Sequence, residues 1–90
     1  MPKFIIERNI PDLGKLSNGE LRDVARKSIA VLKEMAPRVQ WLRSFVTGDK
    51  MYCEYIAESA EAVREHARRG GFPANSVAEV KATVDPTSGE

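Results

Sequence analysis

Residues 38–57 read "RVQWLRSFVTGDKMYCEYIA", and the reading of this stretch decides the fold. Both halves are rich in β-branched and aromatic residues, and the break between them is the short "TGDK" with Gly48 and Asp49 at its centre. Two strands joined by so short a turn pair as an antiparallel hairpin.

Helix signals lie on either side. Upstream, Ser17 and Glu20 stand at the spacing of a capping box, so a helix starts there. Leu21, Val24, Ser28, Leu32 and Met35 follow at intervals of three and four, an inward stripe that runs to Ala36 and stops at Pro37. Downstream, Ser59 caps a second helix over "AEAVREHARR" (60–69). Arg68 and Arg69 suit its negative end, Gly70 or Gly71 supplies a left-handed cap, and Pro73 forbids continuation. Outermost, "KFIIERNI" (3–10) and "NSVAEVKATV" (75–84) read as strands one and four.

The order is therefore β-α-β-β-α-β. Right-handed crossovers place both helices on one face of a four-stranded antiparallel sheet, the ferredoxin-like arrangement of the α+β class. Residues 1–85 make a single domain, and residues 86–90 make a flexible polar tail.

Two helices cover only one side of such a sheet. Strict alternation sets Phe4 and Ile6 against Ile5 in strand one. It sets Val39, Trp41 and Phe45 against Leu42 and Val46 in strand two, and Tyr52 and Ile56 against Met51, Cys53 and Tyr55 in strand three. Each large apolar side chain left in water forgoes about 1.5–3 kcal/mol, and soluble monomers seldom show a contiguous patch of them. The expectation is a homodimer in which two sheets face each other, a dimeric α/β barrel. Glu7, Arg43 and Glu54 then sit at its rim, pair with one another or line its lumen.

Composition narrows the function classes. Fourteen Lys and Arg balance thirteen Asp and Glu, a net charge of +1, which gives no broad basic field for nucleic acid. Cys53 is the single cysteine, so no disulfide closes within the chain. The opening "MPKFIIERNIPD" is neither a signal peptide nor a membrane span, and the expected location is cytoplasmic. The motifs of other proteins with this fold are missing. "KMYCEYIA" carries glutamate where an RNA-recognition motif needs its second stacking aromatic, and "NIPDLGKL" has neither the two cysteines of copper carriers nor the arginine of acylphosphatases.

His66, the one histidine, lies beside the buried stripe of helix two near its C-terminal end, where a partly exposed structural role is expected. It is also the first candidate for a metal ligand. Cys53, Glu7, Glu54 and Tyr55 are its companions only if the fold gathers them; nickel or zinc accepts imidazole, thiolate and carboxylate together.

Taken whole, the chain resembles a small bacterial domain-of-unknown-function family that includes nickel-binding proteins. The resemblance is carried by "FIIERNIP", by "VQWLRSFVTGDKMYCEYIAESAEAVREHARRGGFPAN" and by "SVAEVKATVDP". It implies a ferredoxin-like fold, a barrel-type homodimer and, in some members, nickel or cobalt binding. The first expectation is thus a homodimeric ligand-binding protein, with nickel or another divalent metal as ligand through His66 and with Glu7, Trp41, Tyr52, Cys53 and Glu54 as further binding residues. A second is a cofactor-independent oxygenase-type enzyme, which needs an apolar cavity between sheet and helices with Trp41, Tyr52 or Cys53 near an anchor such as Glu7. A third is a protein-interaction module presenting Arg64, Arg68 and Arg69.

Overall fold

The computed structural model describes residues 1–90. Strand β1 (Lys3–Asn9) leads through a 3-10 turn (Leu13–Lys15) to helix α1 (Asn18–Met35). Strands β2 (Val39–Val46) and β3 (Lys50–Ala57) form the hairpin; helix α2 (Ala60–Gly70) and a short strand β4 (Ser76–Glu79) follow. The sheet order is β2-β3-β1-β4, every pairing antiparallel. This is the expected ferredoxin-like topology.

Local chemistry explains the boundaries. The capping box at Ser17 is formed in both directions: the Glu20 amide donates to the Ser17 hydroxyl at 3.1 Å, and the Ser17 amide donates to the Glu20 carboxylate at 3.0 Å. At the far end of α2, Gly71 adopts a left-handed φ of 71°. Its N–H donates to the Arg68 carbonyl at 3.2 Å and the Phe72 N–H donates to the Ala67 carbonyl at 2.9 Å, the paired bonds of a Schellman motif. The 3-10 turn is tied to the hairpin tip, with the Gly14 N–H on the Gly48 carbonyl at 2.9 Å. No helix is long and apolar enough to cross a membrane.

The core lies between the helices and the sheet. Phe4, Ile6, Val39, Cys53, Tyr55 and Ala57 project from the strands onto Val31 and Met35 of α1 and onto Ala62 and Val63 of α2. Along α1 the expected stripe is unevenly used. Ser28, Val31 and Met35 are buried, whereas Leu21 and Val24 in the first half are only half-buried.

Two expectations require correction. The sheet is not closed into a barrel: it is an open four-stranded sheet whose edges, β2 and β4, each pair on one side only. The alternation behind the barrel counted through β2 without interruption, but a bulge between Trp41 and Arg43 resets the parity. Trp41, Ser44 and Val46 stand opposite Tyr55, Cys53 and Met51 on the helix side, while Phe45 stands opposite Tyr52 on the other. The outer face is also less apolar than the pattern implies, because charges run through it. Lys3 and Arg43 pair with Glu54 at 3.3 and 3.4 Å, and Lys50 pairs with Glu7 at 2.8 Å, so Ile5, Tyr52 and Ile56 are half-buried among ion pairs.

The second correction concerns strand four. It ends at Glu79 rather than Val84, and Val84 is 82% exposed. Beyond Glu79 one more bond joins the two strands, from the Val80 N–H to the Lys3 carbonyl at 2.8 Å, and Lys3 is the first residue of β1, so the later residues have no strand to pair with. Residues Pro86–Gly89 form a 3-10 turn capped by the Asp85 side chain.

Candidate functional site

Because the first half of α1 stands away from the sheet, a pocket of about 190 Å³ opens beneath it. Leu21, Val24, Ala25 and Ser28 form its roof, and Trp41, Ser44, Val46, Met51, Cys53 and Tyr55 form its floor. Arg8 and Ile10 close the end of β1, and Phe72 closes the side next to α2. Ten of the thirteen lining residues are hydrophobic and none is acidic. An apolar recess with a few converging polar groups is the usual form of a small-molecule site.

Each polar group is held in place. Arg8 continues the inward face of Phe4 and Ile6 and is 2% exposed. Its Nη1 donates to the Pro73 carbonyl at 2.6 Å and its Nη2 to the Tyr55 hydroxyl at 3.3 Å. The guanidinium also lies near the Tyr55 and Phe72 rings, 6.0 and 5.6 Å from their centroids. On the opposite wall the bulge aims two side chains at one hydroxyl. Trp41 Nε1 donates to Ser44 Oγ at 3.0 Å, and Ser44 Oγ donates to Cys53 Sγ at 3.0 Å. Phe72 is positioned by the helix end, since its ring lies on Gly70 so closely that a β-carbon there would overlap it.

His66 stands just behind this wall and, contrary to the expectation of partial exposure, is fully buried. Its ring centroid is 5.3 Å from that of Tyr55 and 6.1 Å from that of Phe72, and Nε2 meets Ser28 Oγ at 3.3 Å. Nδ1 has no partner. Burial holds the imidazole below its ordinary pKa; Ser28 opposes this and the Arg8 charge adds to it. His66 is therefore neutral at pH 7. Burial likewise raises the Tyr55 phenol, which stays protonated.

The residues singled out from the sequence divide between two faces. Trp41 and Cys53 line the pocket. Glu7, Tyr52 and Glu54 lie on the opposite face of the sheet, where the Tyr52 hydroxyl reaches Glu7 at 3.5 Å and the Lys50 ammonium lowers the Glu7 pKa. No three His, Cys, Asp or Glu side chains gather into a metal-binding group, and the His66 ring packs against the Tyr55 and Phe72 rings. Arg68 and Arg69 are engaged with Glu61 and Glu65 at 3.1 and 2.6 Å. Arg8, Ser28, Ser44 and Phe72 were missed as site residues. Of these Arg8 was detectable, as a charge at the next inward position after Phe4 and Ile6.

By fold, the protein is an open-sheet ferredoxin-like domain with a small apolar pocket between its first helix and the sheet. The chain belongs to the family described as "Nickel responsive protein SCO4226-like", which matches residues 4–80. Its fold is shared with the crystal structure of SCO4226 from Streptomyces coelicolor A3(2), at a TM-score of 0.76 and 21% identity, covering 91% of this chain and 99% of that one. No curated protein matches the sequence.

Proposed function

We propose that this member of the nickel-responsive family binds a small molecule in the pocket beneath α1. The observation that carries the reading is the pocket itself: about 190 Å³, apolar on most of its lining, with Arg8, Ser28, Ser44 and Tyr55 as its fixed polar groups. An engineered cavity of about 150 Å³ in another protein binds benzene, so a single-ring compound is the right scale. Trp41 is the only tryptophan and lines the pocket, so its emission reports occupancy without a label. Titration with benzyl alcohol, a neutral probe of this size, is expected to change that emission saturably and to fail in a variant whose pocket is filled. A linear, non-saturating response in the wild type defeats the proposal.

Nickel or another divalent metal enters through the family. Within one chain no three ligating side chains converge, so a metal held here takes ligands from a second copy as well. The homodimer belongs to the same reading, and Leu42 and Phe45, 41% and 54% exposed along the edge strand β2, are the large side chains a second copy would cover. Sedimentation with and without nickel tests both points together. A nickel-dependent increase in mass supports ligands shared between chains; calorimetric nickel binding with the mass unchanged at 10.0 kDa rejects it.

A further inference from the structure

We propose that the ligand class is a small organic monoanion, an aromatic or branched carboxylate, whose charged end is taken by Arg8 and whose apolar body fills the space under α1. This deepens the pocket-binding reading above and rests on it. The inference starts from a charge without a counterion. Arginine stays protonated in proteins, and a buried guanidinium is costly unless it is paired. Yet no carboxylate comes within 4.0 Å of Arg8, although Lys3, Arg38, Lys50 and Arg69, all less buried, each find one. Two of the five guanidinium N–H groups have protein acceptors, Pro73 and Tyr55, and three have none.

The rest of the lining fits one negative charge and no more. Arg8 is the only charged residue on the wall. A carboxylate matches the guanidinium fork with two parallel hydrogen bonds, and exclusion of water strengthens them. The Tyr55 oxygen accepts from Arg8, and its O–H is a further donor on the same wall. The Ser28 hydroxyl is a further polar group on the roof. A dianion such as a phosphate monoester would meet one cation and an otherwise apolar wall, an arrangement that leaves a charge uncompensated. An apolar body suits Leu21, Val24, Met51 and Val46.

The test compares phenylacetate with phenylacetamide, its neutral isostere, by Trp41 emission at pH 7. Wild type is expected to bind the anion at least tenfold more tightly. Arg8→Met is expected to remove that preference while still binding the amide. Arg8→Lys, which keeps the charge but not the fork, is expected to keep part of the preference. Equal binding of the two compounds by wild type overturns the anion assignment and leaves the pocket reading standing. A saturable response to neither compound nor to benzyl alcohol overturns both. Should Arg8→Met fail to fold, the wild-type comparison alone decides.

Discussion

Filling the pocket should make the protein more stable and less able to bind. Ala25 sits on α1 in the roof and is half-buried. Replacing it with leucine adds three carbons directed into a space of about 190 Å³. Each newly buried methylene contributes about 0.8 kcal/mol, which sets an upper limit near 2.4 kcal/mol. Partial exposure of the site and the slightly lower helix propensity of leucine reduce the expected gain to about 1.5 kcal/mol. For a domain of this size that corresponds to a rise in Tm of about 6–12 °C. Urea or thermal denaturation followed by circular dichroism measures the gain, and Trp41 emission with benzyl alcohol measures the loss of binding. A close-packed core would respond in the opposite way, losing about 1–3 kcal/mol to overpacking. A lower Tm for Ala25→Leu would therefore refute the claim that α1 stands off the sheet over usable space.

The other predictions follow from single groups. The His66 pKa is depressed in the folded state, so the unfolded chain binds the proton more readily. Stability is thus complete above the unfolded value of about 6.5 and falls as pH drops below it, by up to about 1.4 kcal/mol per unit. Chemical denaturation at pH 7 and pH 5.5 should show this loss in wild type and a smaller one in His66→Phe; equal losses count against it. The Tyr55 phenol beside the imidazole, raised by burial, stays protonated across that range. Gly71→Ala must hold a β-carbon at a φ of 71°, which costs about 1–2 kcal/mol, and a denaturation midpoint equal to wild type would contradict the cap. Leu42→Lys combined with Phe45→Lys should abolish nickel-dependent association in sedimentation while leaving Tm within a few degrees. Persistent association would place the contact elsewhere.

The order and type of the elements were legible because each rested on a local signal. Ser17 with Glu20, the "TGDK" turn and the glycine pair after Arg69 act within a few residues of themselves, and all three behave as read. The barrel was not legible for a reason equally local. One extra residue in β2 inverts the facing of everything after Trp41, and no residue type marks a bulge there. Long side chains also cross the outer face to pair with Glu7 and Glu54, which a count of apolar positions leaves out. Little of the pocket is legible in advance: of the five expected binding residues, Trp41 and Cys53 lie on its wall, while Glu7, Tyr52 and Glu54 lie on the other face of the sheet. The burial of His66 was hidden because its neighbours, Tyr55, Ser28 and Phe72, come from three other segments.

The stop signal of α2 has an effect beyond its own helix. The glycines that end it fix where Phe72 lies and where the Pro73 carbonyl points, and those two features are what Arg8 leans on from the middle of the sheet. A descendant that replaced the glycine pair with ordinary helix formers would still end α2 by Pro73 and keep its overall architecture, yet would lose the bracket around its one interior cation. The setting of Arg8 can therefore drift through the two glycines at the helix end, with Arg8 and its hydrogen-bond partners unchanged.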